Sequence, residues 1–205
     1  MPEEVEGFRT VSDLSTALWD DLLKRPLKEA AESSGARLIG ENIFALDYMG
    51  GEYLIDVKAR SIDGPSIHRA PGFQVGLVLL RYLTCAQDLG RSGRMVTGRE
   101  LNGGAMFFTG PHALLTEPVT ARFGENPDSF LPRAALLGLA PEAAGSGYAC
   151  QGLILPNIAV GCVLHPKDDE FPAELTYTFD SYAHYHLPLD GLWAMINVLA
   201  CELAA

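Results

Sequence analysis

Apolar positions recur at helical spacing near both ends of the chain and at its centre, with strand-like blocks between them. Leu14, Leu18 and Leu22 form one stripe, with Trp19 and Leu23 beside it, which predicts a helix over 14–24 capped by Asp13. Pro26 interrupts this pattern; its ring fits the first turn of a second helix over 27–34, which Ser33-Ser34-Gly35 stops. Residues 73–89, FQVGLVLLRYLTCAQDL, are apolar on nearly every face, as a central helix covered on several sides would be. Over 188–203, Leu189, Leu192, Trp193, Ile196, Leu199 and Ala200 make the stripe of a last, amphipathic helix, with Pro188 at its first turn.

The strand-like blocks begin with 36–40, 43–49 and 52–60, and Gly50-Gly51 signals a hairpin between the last two. IDGPS at 62–66 reads as a turn. Residues 94–100 and 105–109 flank Asn102-Gly103-Gly104, a second hairpin signal. The stretches 112–124 and 127–139 look helical but hold Pro118 and Pro132, which predicts short or broken helices. PEAAGSG at 141–147 is a small-residue loop. Residues 148–155 and 158–164 flank Pro156-Asn157, a turn pair, and 173–179 alternates as a half-buried strand does. Strands and helices come in blocks rather than in strict alternation. The expectation is an α+β fold: an antiparallel or mixed sheet built from hairpins, with a buried central helix and N- and C-terminal helices packed on it. One domain over 13–205 follows a flexible acidic arm at 1–12; the loops at 64–72 and 140–147 are too short to demand a split.

Charge removes several partners. Net charge is −11 without a Lys/Arg run, so no nucleic acid and no anionic membrane surface is expected to bind. MPEEVEGFRT lacks the apolar core of a signal peptide, and Gln74, Arg81 and Thr84 interrupt the longest apolar run, so a cytoplasmic protein is expected. Cys85, Cys150, Cys162 and Cys201 contain no C-x-x-C clip and read as buried apolar thiols. If Pro156-Asn157 is a two-residue hairpin loop, Cys150 pairs with residue 163 and Cys162 with residue 151. The two thiols then point to opposite faces, and a three-residue loop would reverse that.

Candidate chemistry concentrates in HPKDDEFPAELTYTFDSYAHYH, residues 165–186. Asp168, Asp169 and Glu170 lie between Pro166 and Pro172 without the alternate spacing or glycine of a calcium loop, and so read first as a solvated turn. Glu170, flanked by Phe171 and Pro172, is the acid expected to be drawn toward the sheet to pair with Arg or Lys, and His165 at a strand end could join Asp168 or Asp169 as a ligand pair; whether Glu170 and His165 turn inward together is the question the stretch leaves. His184 and His186 share a face only in a strand; Asp180 reads as the N-cap of a helical turn, which sets the two imidazoles apart. His112 follows a Gly-Pro turn at an expected helix start, where N–H groups favour anions. No P-loop, G-x-S-x-G or H-E-x-x-H motif occurs. No metal site is expected, and the sequence names no cofactor.

LLRYL (79–83), GREL-x-GG (98–104), ARFG (121–124), LPN (155–157) and above all DDEFPAELTYTFD (168–180) occur in an order that resembles the bacterial and archaeal domain-of-unknown-function family 3786. The resemblance runs from about residue 14 to 200. It implies a protein of anaerobes and assigns no catalytic residue. Some members carry a cysteine-rich segment suited to an iron–sulfur cluster, which this chain lacks. The leading expectation is therefore a non-catalytic accessory domain that binds a small molecule, a cofactor or a partner protein, with His112, His165, Asp169, Glu170, Asp180 and His184 as ligand-binding candidates. A metal-assisted enzyme using the His and acid residues of 165–186, and a structural or homo-oligomeric protein, are the alternatives.

Overall fold

The computed structural model describes residues 10–65, 72–143, 145 and 147–205. Residues 1–9 of the expected acidic arm, 66–71 of the loop expected at 64–72 and two positions of the loop expected at 141–147 lie outside the described residues. Thr10 and Asp13 close a capping box around the 3-10 turn Val11–Asp13, the Thr10 N–H donating to Asp13 Oδ2 at 2.8 Å. Asp13 is thus spent one turn early. Helix α1 runs over Thr16–Leu23, with Ser15 accepting the Ala17 N–H in place of the expected Asp13 cap. α2 covers Leu27–Ser34 as predicted and ends at Gly35, whose φ of 71° is left-handed.

Nine strands form two antiparallel sheets among the described residues, where the sequence pointed to one sheet. β1 (Arg37–Ile39), β2 (Ile43–Tyr48), β3 (Gly51–Asp56) and β4 (Ser61–Asp63) make the first, in chain order. The hairpin between β2 and β3 turns at Met49-Gly50, one residue before the expected pair. Tyr48 faces Gly51, and Met49 and Gly50 both have positive φ, as a type I′ turn demands. β4 occupies part of the stretch read as a turn, because Ile62 pairs with Ile55 and is buried.

The second sheet has the order β5-β9-β8-β7-β6, built from β5 (Met95–Thr97), β6 (Leu139–Glu142), β7 (Tyr148–Leu155), β8 (Ile158–His165) and β9 (Glu174–Asp180). The hairpin expected around Asn102-Gly103-Gly104 does not form. Glu100 instead accepts both the Thr97 N–H and its hydroxyl at 2.8 Å, closing a 3-10 turn over Gly98–Glu100. Short α4 (Gly104–Phe107) follows, with Gly104 folded so closely on Gly98 that a Cβ would stand 1.9 Å from its carbonyl oxygen. β5 consequently pairs with β9. The two proline-bearing stretches form short α5 (Glu117–Phe123) and α6 (Phe130–Leu136), and the chain then enters edge strand β6.

α3 (Phe73–Cys85) and α8 (Leu189–Leu203) pack together across the sheets. Their Leu79, Leu80, Leu83, Ile196 and Leu199 are fully buried in one hydrophobic cluster that includes residues of both sheets. Burial at this scale is the main stabilising term of such a fold. No helix among the described residues is long and apolar enough to cross a membrane.

One joint between the sheets coincides with a change of register in the second. The Met49 N–H donates to the Ile154 carbonyl at 3.0 Å. Ile154 is the extra residue of a bulge between Leu153 and Leu155. Below it the pairing is offset by one, so Cys150 stands directly opposite Cys162 although Leu155 still faces Ile158 across the Pro156-Asn157 turn. The expected placement of these cysteines on opposite faces is therefore corrected: they share the buried face. The turn itself is locked from the other side. Asn157 donates its N–H to the Tyr82 hydroxyl (3.1 Å) and its amide to the Ser33 carbonyl (2.8 Å), and the Tyr82 hydroxyl donates to Ser34 O (2.7 Å).

Candidate functional site

The β8–β9 connection closes on itself. Asp168 Oδ1 accepts the N–H groups of Glu170 (2.8 Å) and Phe171 (2.7 Å), and its own N–H donates to Phe171 O. These donors hold the exposed Asp168 carboxyl below the usual carboxylate range. The loop is tied to the end of α5 through Lys167, whose N–H reaches Gly124 O at 2.8 Å and whose ammonium pairs with Glu125 at 3.2 Å.

Beside this loop lies a surface hollow of about 510 Å³ lined by His165, Pro166, Asp168, Phe171, Pro172, Ala173 and Glu174. His165 ends β8 opposite Glu174. Gly147, at φ 85°, lets the chain pass beside the imidazole: a Cβ there would come within 3.1 Å of His165 Nδ1. Phe171 is 66% exposed, a large apolar ring held out beside two carboxylates. Of the predicted residues, only His165 lines the hollow. Asp169 and Glu170 are exposed and do not line it, so Glu170 is not drawn toward the sheet with His165 as expected. Asp168 and Glu174 supply the carboxylates instead. Sequence reasoning named Asp168 as a possible partner of His165 but singled out Asp169 and Glu170 as the candidate acids. The usable signal was its position at the head of a Pro-bounded loop, where an Asp side chain captures the N–H groups that follow.

A second hollow, of about 470 Å³, lies at the β1–β2 turn and is bordered by Ile39, Glu41, Asn42, Ile43, Asp56 and Lys58. Asp56 already accepts the Ala59 N–H there at 2.8 Å.

The other end of the 165–186 stretch is buried. Asp180 ends β9 and is 1% exposed. It was expected to cap a helical turn. Tyr182 occupies that cap position, ahead of α7 (Ala183–His186). Asp180 instead accepts the N–H and hydroxyl of Ser92 (both 3.0 Å), the Gly93 N–H (2.7 Å) and the Tyr182 N–H (2.9 Å). Burial pushes its carboxyl up, but these donors outweigh burial and hold it below the ordinary value. It clamps the segment before β5 to the end of β9.

His186 is fully buried, and its Nε2 lies 2.7 Å from the Gly90 carbonyl. A carbonyl only accepts, so Nε2 carries the proton and Nδ1 is a bare acceptor without a protein partner. Both ring nitrogens of His184 are likewise enclosed and unpartnered; the Ser181 backbone lies near without reaching hydrogen-bond geometry. Burial lowers the pKa of both imidazoles. α7 is a helical turn, as predicted, which separates the two rings around its axis. His186 was not among the candidates; its signal was a third histidine directly before an apolar Leu-Pro-Leu entry to a buried helix.

His112 lies elsewhere. It ends a 3-10 turn, Gly110–His112, and the next helix starts only at Glu117, so no helix N-terminus adjoins it as expected. Its exposed ring stacks on Phe107 (4.7 Å between centroids) and meets Trp193 edge-on at 5.6 Å. Among the described residues, no three or more His, Cys, Asp or Glu side chains are arranged to hold a metal ion.

A family model described as "Domain of unknown function (DUF3786)" matches residues 26–201. The chain belongs to this family. The DUF3786 match takes in the hollow, the Asp180 clamp and both joints at the β7–β8 hairpin, and leaves α1 outside. No curated protein and no solved structure matches the chain.

Proposed function

We propose that the protein is a non-catalytic binding module of anaerobic metabolism, recognising a positively charged segment of a partner protein in the hollow beside the β8–β9 connection. The observation that carries this reading is the composition of that hollow: Asp168 and Glu174 beside the exposed ring of Phe171. Carboxylates attract Lys and Arg and speed encounter, while an aromatic ring contributes apolar area and a face for cations. Asp169 and Glu170 add negative charge nearby, and Lys167 of the same connection is already paired with Glu125. The net charge of −11 favours a basic partner in the same way.

A metal-assisted reaction using His165, Asp169, Glu170 and His184 has less support, because Asp169, Glu170 and His184 do not line the hollow with His165. The test is a titration of isotope-labelled protein with short Lys/Arg-rich peptides containing an apolar residue, followed by amide chemical shifts. Shifts confined to 165–174 and weakened by salt are expected. No response at millimolar peptide, or an equal response to acidic peptides, would sink the proposal.

A further inference from the structure

Cys150 and Cys162 stand directly opposite each other on β7 and β8, both on the buried face of the sheet, 2% and 0% exposed. Directly opposed residues of antiparallel strands have Cα atoms about 4.5–5.5 Å apart, inside the range a disulfide spans. Both thiols are free, and the Cys150 thiol stands near enough to push the Cys162 thiol up. Tyr177 faces Cys162 from β9 and donates its hydroxyl to Leu115 O at 2.9 Å, leaving the thiols to each other. From these observations we infer that Cys150 and Cys162 are a dithiol/disulfide couple, oxidised by exchange with a small disulfide of the glutathione type.

The step conserves atoms and electrons. One cysteine thiolate attacks a sulfur of the small disulfide and expels one thiol, leaving a mixed disulfide. The second cysteine then attacks the protein-bound sulfur and expels the other thiol. Two protein S–H bonds and one reagent S–S bond break; one protein S–S bond and two reagent S–H bonds form. The protein loses two electrons to the reagent, and its two protons leave on the released thiols.

Access lies on the β6 side. Pro141 of β6 faces Cys150 and has no N–H to give to the ladder, and β6 is a four-residue edge strand. Such a strand opens locally before the sheet unfolds. The partner thiol and burial push the Cys162 thiol up, so in the closed sheet Cys162 stays protonated and slow to react, and opening governs the rate. The disulfide would staple β8 to β7, the strand that carries the Ile154 joint to the first sheet.

The experiment equilibrates the folded wild-type chain with mixtures of reduced and oxidised glutathione, quenches with acid, alkylates and maps peptides, with circular dichroism to follow the fold. The expected result is a linked Cys150–Cys162 peptide pair that grows through a single two-electron transition. Dithiothreitol should abolish the link, and it should persist in Cys201→Ser. Oxidised protein should also unfold at a higher temperature than reduced protein. Two results would overturn the inference. One is free, alkylated Cys150 and Cys162 at the most oxidising ratio, with glutathione only on Cys85 or Cys201. The other is a link that forms in urea-unfolded chain but not in folded chain.

Discussion

Asp168 and Asp180 both hold backbone N–H groups with one carboxylate, yet they stand in opposite environments. Asp168 is exposed, and its donors are Glu170 and Phe171 of its own loop. Asp180 is buried, and three of its four hydrogen bonds come from Ser92 and Gly93, on a segment distant in sequence. The first arrangement shapes a surface loop. The second joins two parts of the fold. The difference shows that the structural weight of a carboxylate depends on whether its bonds close a local loop or join segments distant in sequence, and on whether the carboxylate itself is buried.

Substitution gives the largest contrast. Asp180→Ala takes a buried acceptor from the Ser92, Gly93 and Tyr182 N–H groups and unties the segment before β5 from the end of β9, and should cost about 2 kcal/mol of unfolding free energy. Asp168→Ala frees N–H groups that solvent can reach, and should cost under about 1 kcal/mol. Urea denaturation of the two variants beside the wild type tests the pair. Equal losses would refute the distinction between clamp and loop.

Acid should separate the same two regions. His184 and His186 have folded pKa values depressed below 6.5 by burial; at His186 the Gly90 carbonyl and the Asp180 carboxylate pull the other way without cancelling it. Between the folded value and 6.5 the unfolded chain binds protons that the folded chain refuses, so stability rises with pH there. Their contribution is thus intact above pH 6.5 and is lost as pH falls through the folded values. Asp180, held below its ordinary 3.8, adds a second loss at still lower pH, because its carboxylate must be protonated against four hydrogen bonds. Unfolding free energy measured from pH 7.5 to 5 should decline, and in His186→Gln the decline should shrink. A flat profile in the wild type would count against the buried, neutral imidazoles.

Much of this was legible in the sequence, and the missing parts share a cause. α2, α3, α8 and the β7–β8 hairpin were readable because apolar spacing and Pro or Gly punctuation are local signals. The pairing of Cys150 with Cys162 was not, because the bulge at Ile154 meets Met49 of the other sheet, and no pattern within β7 records that neighbour. The role of Asp180 was hidden in the same way: its neighbours suggested a cap, and its main donors arrive from Ser92 and Gly93. At the hollow, residue types were legible and directions were not. His165 and the acids were visible as a group, but only the closed loop decides that Asp168 and Glu174 face the hollow while Asp169 and Glu170 do not.

The smallest expected effect on stability belongs to Phe171, and it is the most informative for function. A buried phenylalanine replaced by alanine costs about 3–5 kcal/mol, whereas a ring already 66% exposed has little to lose, so Phe171→Ala should change unfolding free energy by less than about 1 kcal/mol. If the hollow recognises a basic segment through its ring and its carboxylates, the same substitution should weaken peptide binding about tenfold, as the loss of one aromatic contact does. Asp169→Asn should weaken binding less and mainly raise its tolerance to salt, because Asp169 acts from outside the hollow through charge alone. Peptide titrations of both variants at two salt concentrations separate these effects. A Phe171→Ala protein that binds as well as the wild type would leave charge as the whole of the recognition and remove the hollow from the argument.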